Sequence, residues 1–344
     1  MDTTGERKIA ILAHEQFPER AKTALGVMRY SNDDVVAVLD RDKAGTRVHD
    51  HVEFVPDGPI VADLTDVTDA DTLLIGISPI GGKFNPSWRA DVELALERGL
   101  DVISGLHEFL ADDRTFASIA AASGAEIWDV RRPPDDLGVS QGIADSVDAD
   151  VYVTVGTDCS IGKMTTTFEL VSALNDAGTE AAVIPTGQTG IMIDGWGIPI
   201  DRTAGDFIPG AIEELILERG DDFEVLVVEG QGSITHPAYS GLITGIMHGA
   251  MPDGLILCHE SGRERIHGYE SFAIPPIEQI MSLYTSLVEP VSPAPVCAGA
   301  LNTWSIDDEG AAAAAVERFQ NQLNAPASDV IRFGTDPLVE AIQR

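Results

Sequence analysis

The chain has 344 residues, 44% hydrophobic and 6% aromatic, with 56 acidic against 22 basic side chains and a net charge of −34. That length exceeds one typical domain and suggests two, each with an ordinary apolar core. No apolar run reaches the roughly 18–20 residues of a membrane span, and no basic stripe exists with which to release counterions from nucleic acid.

The acids are spread along the chain, and Lys8, Lys22, Lys43, Lys83 and Lys163 are its only lysines. One reading is an acidic protein with an unusual partner. The simpler one is a halophilic surface, on which concentrated salt screens like charges. The start, from Met1 to Lys8, lacks the basic region and apolar stretch of a secretory signal, so the cytoplasm is the expected location. Cys159, Cys258 and Cys297 are too widely spaced for a zinc pair or a disulfide framework, and no metal site is expected. Cys258 and Cys297 lie in apolar, strand-like runs and read as core.

In chain order, Lys8–Ala13 reads as a buried strand, and Pro18–Tyr30 as a helix with Ala21, Ala24, Leu25 and Met28 on one face. Strands follow at Val35–Leu39 and Leu73–Ile77, a helix from about Ser87 to Glu97, and a short strand at Asp101–Ser104. This alternation predicts a doubly wound α/β domain with a parallel sheet. The first half resembles a Rossmann domain without its fingerprint. The turn after the first strand, from His14 to Arg20, has no glycine to admit a pyrophosphate, so NAD is not expected. Gly81-Gly82-Lys83 reads as a plain glycine turn, with an anion contact as the alternative.

Between Asp129 and Asp150 two prolines and many acids suggest a linker, placing the domains at 1–148 and 149–344. Strands of the second half are expected at Val151–Gly156, Ala181–Pro185, Glu224–Glu229, Gly254–Cys258 and Pro295–Leu301, as a second doubly wound α/β sheet. Polar residues or glycines close each strand, at the edge where open α/β sheets bind ligands.

The strongest motif follows the first of these strands: Gly156-Thr157-Asp158-Cys159-Ser160-Ile161-Gly162-Lys163-Met164-Thr165. A strand, a Gly-containing loop and a helix headed by Gly-Lys present backbone N–H groups and an ammonium to phosphate oxygens. Two departures stand out. The first glycine lies one residue early, and Met164 replaces the Ser or Thr that binds Mg²⁺ in NTPases. Cys159 could carry an acyl group; with no histidine adjacent in sequence, a loop residue without a chemical role is the simpler reading.

Glu229 ends the apolar run Val225–Val228 and is a candidate base or Mg²⁺ holder, with a structural cap as the alternative. His236 lies just downstream, as a structural hydrogen-bonder or a catalyst. Thr186-Gly187-Gln188-Thr189-Gly190 suits a carboxylate or phosphate contact, with Asp194 and Asp206 as polar partners. Asn302, after an apolar run, stands where an amide could read a purine edge.

The loop resembles those of dethiobiotin synthetase and of the cobyric-acid and MinD-type P-loop proteins. A wider resemblance is carried by Ala21–Ala24 with Arg29-Tyr30, Gly81-Gly82 with Trp88-Arg89, Gly105–Leu110, Gly156–Thr167, Ala204–Phe207, and Glu229–Ser233 with His236–Tyr239. These resemble a family, long of unknown function, that joins an N-terminal Rossmann-like domain to a C-terminal P-loop domain. Its characterised members are D-glutamate N-acetyltransferases using acetyl-CoA. The resemblance implies a cytoplasmic transferase that moves the acetyl group of acetyl-CoA to the amine of glutamate, with the D isomer expected. The loop residues Gly156 to Thr165 and Asn302 would hold the donor, and Glu229, His236 and Lys163 would serve catalysis. Gln188, Thr189 and Arg202 would bind the acidic acceptor. A small-molecule substrate and a homo-oligomer are expected, with neither nucleic acid nor membrane as partner. The alternatives are an ATP- and Mg²⁺-dependent ligase or kinase, and a nucleotide-binding regulatory protein of the MinD type.

Overall fold

The computed structural model describes residues 7–79 and 81–343. Met1–Glu6, most of the stretch read for a secretory pattern, lie outside these residues. The chain forms two compact units, Met1–Pro133 with Gln188–Arg202, and Pro134–Gly187 with Thr203–Arg344. Among the described residues no helix is long and apolar enough to cross a membrane.

In the first unit the strands are β1 (Lys8–Leu12), β2 (Asp34–Leu39), β3 (Ile60–Val61), β4 (Thr72–Ile75), β5 (Asp101–Ser104) and β6 (Ile127–Asp129). They form a parallel sheet in the order β3-β2-β1-β4-β5-β6, the doubly wound order of Rossmann domains. Helices α1 (Lys22–Tyr30), α2 (Arg89–Glu97) and α3 (Arg114–Ser123) connect them. Every residue of β4 is buried, as expected of a central parallel strand covered on both faces. Helix α3 has a defined start and stop: the Asp113 carboxylate accepts from Thr115 N and Phe116 N, and Gly124 ends it at φ 82°.

The helix expected from Pro18 begins only at Lys22. The buried Asp40, just past β2, accepts hydrogen bonds from Glu15 N and Phe17 N, both 3.1 Å. Those bonds hold residues 14–20 as a turn. They also satisfy two amides of the loop in which a dinucleotide fold receives its pyrophosphate.

In the second unit β7 (Asp150–Gly156), β8 (Ala181–Ile184), β9 (Val225–Val228), β10 (Gly254–Glu260), a fifth strand (Val296–Asn302) and a sixth (Ala327–Ser328) form the sheet. Between β10 and the fifth strand comes an antiparallel pair, β11 (Arg265–Ile266) and β12 (Tyr269–Ala273), so the last two sheet strands are β13 and β14. The sheet is parallel, in the order β14-β13-β10-β7-β9-β8. Helix α4 (Lys163–Asp176) carries the chain from β7 toward β8; α5 (Gln188–Asp194) belongs to the first unit. Helices α6 (Ile208–Arg219) and α7 (Ser240–Ala250) flank β9, and α8 (Ile277–Val288), α9 (Glu309–Leu323) and α10 (Asp336–Ile342) complete the layers. Because β7 leads to one side of the sheet and β10 lies on the other, the crevice between their carboxyl ends is the topological switch point.

The stretch read as a linker has fixed anchors. Residues Ile127–Asp129 form β6, and the buried Glu213 carboxylate accepts from Gln141 N, Ile143 N and Ser140 Oγ. Beside β7, Gly230 N donates to Thr154 Oγ1 at 3.0 Å. A Cβ on Gly230 would lie 1.8 Å from Thr154 O, a backbone atom that cannot step aside. Gly230→Ala should therefore cost about 3 kcal/mol, seen as a lower midpoint in urea unfolding; an unchanged midpoint would refute this packing.

Candidate functional site

The loop after β7 is shaped by what Gly156 lacks. A Cβ there would meet Ile161 Cδ1 at 2.8 Å, Lys163 Nζ at 3.1 Å and Asp158 O at 3.2 Å. The bare backbone lets Lys163 turn back across the loop and donate from Nζ to Asp158 O at 2.8 Å. Two positive-φ residues, Ser160 at 53° and Gly162 at 108°, bring the chain round to α4. Glycine is at ease in that region, and serine is not. Met164 is buried, and Thr165 is half-buried. Thr167 Oγ1 donates to Lys163 O at 3.0 Å and lies 3.1 Å from Thr154 Oγ1, tying the first turn of α4 back to β7.

Tyr284, fully buried in α8, donates its phenol to Gly156 O at 2.7 Å and accepts from Ile234 N at 3.0 Å. Burial pushes that phenol up to about 12, so it stays protonated and keeps its donor. Thr157 N donates to Cys258 O, and Thr157 Oγ1 lies 2.8 Å from His259 Nδ1, joining the loop to β10. Burial first, and then the Arg263 guanidinium, pushes His259 down to about 4. Asp158 is fully buried. Its Oδ2 accepts from His267 N at 2.8 Å and Arg263 Nη1 at 3.3 Å, and its Oδ1 from Cys159 N at 2.7 Å. Arg263 also donates to Cys159 O at 3.1 Å and Glu260 Oε2 at 2.7 Å.

Glu229 stands one residue past β9, beside β7, and is buried. Its Oε2 accepts from Thr186 N at 3.3 Å and Gly187 N at 3.2 Å. His236 is 2% exposed. Its Nδ1 accepts from Ala238 N at 3.1 Å and Tyr239 N at 3.2 Å, which assigns the proton of the neutral ring to Nε2. Tyr239 stacks on the ring at 4.7 Å, and Tyr269 meets it edge-on at 5.1 Å. Burial holds His236 below the ordinary histidine range; Asp158 opposes the shift, and Lys163 and His267 add to it.

Cys159 has no histidine beside it in sequence, but it has one nearby in the fold. One ligand atom each of Asp158, Cys159 and His236 lie within 4.8 Å of one another. Although distant in sequence, the histidine is brought to the cysteine by the turn after β9.

Of the remaining expected residues, Asn302 ends β13 and its Oδ1 accepts from Trp304 N, stabilising its own turn. Gln188, Thr189 and Arg202 belong to the first unit. Gln188 packs against Gly105, and the Thr189 hydroxyl lies 3.1 Å from that of Thr23 in a buried contact. Arg202 is exposed, with its guanidinium 5.0 Å from the centre of the Phe109 ring. Asp206 is exposed. Sequence reasoning missed Tyr284, Arg263 and His259. The charged stretch at the end of β10 was a signal for Arg263, but nothing marked a tyrosine on a helix face as a loop anchor.

A pH dependence follows from His259. The unfolded chain protonates it near the ordinary histidine value of 6.5, whereas the folded protein keeps it neutral down to about 4. Its depressed pKa therefore contributes stability that is present above 6.5 and is lost as the pH falls through this window. His259→Gln should flatten that part of the profile, measured by urea unfolding at a series of pH values; an unchanged slope would remove His259 as its source.

Residues 138–339 match the family described as a domain of unknown function (DUF1611_C) P-loop domain, and 41–133 match its DUF1611_N Rossmann-like domain. The chain is 34% identical over 330 residues, 94% of each chain, to a D-glutamate N-acetyltransferase of Tritonibacter scottomollicae. A protein of the same name from a Pseudoalteromonas species is 32% identical, over 78% of this chain and 80% of its own. A crystal structure of a DUF1611 family protein from Anabaena variabilis superimposes with a TM-score of 0.92 at 34% identity, covering 98% of this chain and 99% of that one. The Rossmann-like first half, the P-loop second half and the full-length relatives agree: the chain belongs to the DUF1611 family.

Proposed function

We propose that the protein is an N-acetyltransferase that moves the acetyl group of acetyl-CoA to the amine of glutamate, the D isomer being the acceptor. The observation that carries this reading is the loop itself, which positions a buried lysine and backbone amides yet has buried Met164 where a Mg²⁺-binding hydroxyl would stand. Coenzyme A brings a pyrophosphate and a 3′-phosphate, so such a loop can grip it without hydrolysing a nucleotide or clamping a metal. The names of the two relatives point to the same chemistry.

In this reading acetyl-CoA is a substrate consumed at each turnover and supplies an activated thioester. The amides toward α4, from Ser160 to Thr165, and the Lys163 ammonium would bind its phosphates, since Gly156 N, Thr157 N and Cys159 N already donate to Tyr284, Cys258 and Asp158; Asn302 is a candidate for the adenine edge. The acceptor's ammonium must lose a proton before it can attack. Glu229 suits that base because two amides fix its carboxylate at the carboxyl edge of β9. His236 suits the opposite role. With Nδ1 already an acceptor, its neutral ring offers an Nε2–H donor for the oxygen on which charge develops. The Thr189 hydroxyl is already in contact with Thr23, and Gln188 packs on Gly105.

Incubation with acetyl-CoA and D-glutamate should release free thiol, whereas ATP with Mg²⁺ should release no ADP. ADP without thiol would overturn the proposal in favour of an ATP-dependent ligase or kinase. Lys163→Ala should weaken acetyl-CoA binding by about 10-fold or more, the scale of a charge-assisted contact to phosphate; unchanged calorimetric affinity would remove the loop as the phosphate site.

We also propose that the −34 charge reflects a halophilic, cytoplasmic protein. Mutual repulsion among carboxylates falls as salt rises, so the thermal midpoint should climb steadily from dilute buffer to molar KCl. A midpoint independent of salt would count against this adaptation.

A further inference from the structure

We propose that Cys159 is the nucleophile that takes the acetyl group from the donor and passes it to the amine, so that transfer proceeds through a thioester on the protein. This rests on the donor reading above and goes beyond it, since the donor's pantetheine arm would then fold back to bring its thioester to the loop that grips its phosphates.

Three features of the second unit support the assignment. The cysteine is half-buried and free of any disulfide, and its Sγ lies within 4.8 Å of a carboxylate oxygen of Asp158 and a ring nitrogen of His236. The His236 ring is held between Tyr239 and Tyr269, and its Nδ1 accepts from two backbone amides. That leaves Nε2–H as the edge able to donate to a thiolate. The local charges complete the environment. Lys163 Nζ donates to Asp158 O, Arg263 Nη1 to Cys159 O, and the 14-residue helix α4 begins four residues on. Cations and a helix N-terminus favour a reactive thiolate, against the opposing charge of the Asp158 and Glu260 carboxylates with which Arg263 pairs.

The other two thiols show the contrast. Cys258 is fully buried in β10 and Cys297 lies in β13, and burial pushes both up to about 11. Among the described residues, neither has a histidine and a carboxylate gathered beside it as Cys159 has, and of the three only Cys258 is fully buried.

A bound cation is the competing use of an Asp-Cys-His cluster. The Asp158 carboxylate argues against it. Its oxygens already accept from two backbone amides and from Arg263, whose guanidinium would sit beside the ion.

The chemistry balances without another reagent. The Cys159 thiolate attacks the acetyl carbonyl, the new C–S bond forms as the donor's C–S bond breaks, and coenzyme A leaves as a thiolate that takes a proton from water. One thioester replaces another, so little free energy changes hands. The neutral amine then attacks the acetyl-cysteine, forming the C–N bond and breaking the C–S bond. The base has by then passed the ammonium's first proton to the hydroxide left when coenzyme A took a proton from water, so it can accept the surplus proton of the attacking amine, and the Cys159 thiolate is restored.

The test begins with acetyl-CoA and no acceptor. Wild-type protein should release about one free thiol per chain in a burst and carry one acetyl group on the Cys159 peptide, found by mass spectrometry and removed by D-glutamate. Cys159→Ala and Cys159→Ser should bind acetyl-CoA with wild-type affinity by calorimetry and lose turnover by about a thousandfold or more. Iodoacetamide should label Cys159 well ahead of Cys258, and acetyl-CoA should protect it. Wild-type turnover with no acetyl mark, or a Cys159→Ala protein that turns over normally, would overturn the proposal and leave the donor reading intact. One equivalent of tightly bound zinc that blocks alkylation would overturn it in favour of a metal site. If the wild type releases no thiol with any acceptor, the donor reading fails and the proposal fails with it.

Discussion

The bond from Lys163 Nζ to Asp158 O organises the second unit. A glycine at 156 leaves room for it, because a Cβ there would stand 3.1 Å from the ammonium and 2.8 Å from Ile161 Cδ1. The bond requires the Gly156 peptide to stay where β7 leaves it, and the Tyr284 phenol holds that carbonyl from α8. The neighbouring strands are bound to the same point. Thr154 receives Gly230 N from the turn after β9, and Thr157 donates to Cys258 O in β10. A loop fastened to the strand on either side is preorganised, so a ligand entering it need not supply the energy of ordering it.

Both units use a buried carboxylate to hold the loop after a strand, with opposite consequences. In the first, Asp40 accepts the amides of Glu15 and Phe17, so the turn after β1 is filled by the protein itself. In the second, Asp158 belongs to the loop and accepts from outside it, from His267 N and Arg263. The loop is thereby braced against β10 and the segment after it, while the amides toward α4 are not consumed by this carboxylate. Charge-assisted bonds of this kind are stronger than neutral ones. A chain rich in acids has many carboxylates from which such clamps can be made.

Much of this architecture was legible because buried parallel strands write themselves as apolar runs. The spacing of Ile9–Leu12, Val225–Val228 and Gly254–Cys258 announced two doubly wound sheets, and Gly-Lys after a strand announced the loop. The edge strands Ile60–Val61 and Ala327–Ser328 were not legible, since two residues carry no period. Nor was the membership of Gln188–Arg202 in the first unit, because the α/β pattern runs through it without a break. The site was legible only where its residues are local. Thr189 looked like a ligand-facing hydroxyl between glycines, yet its partner is Thr23. Cys159 looked isolated because His236 approaches it through the fold, and Tyr284 carried no mark of its bond to Gly156.

The treatment of lysine sharpens the functional reading. A chain with 22 basic residues against 56 acidic ones holds five lysines, and four of them stand at exposed or half-buried positions. The fifth, Lys163, is 7% exposed. Burying an ammonium costs several kcal/mol before any partner is counted, and one of the partners of Lys163 is the Asp158 carbonyl. Arginine, which the chain prefers elsewhere, would present a planar fork in place of a compact point charge. A compact cation kept at the head of a helix, among amides that share its sign of potential, is favourable to the protein once an anion sits there. The same potential would favour a thiolate at Cys159.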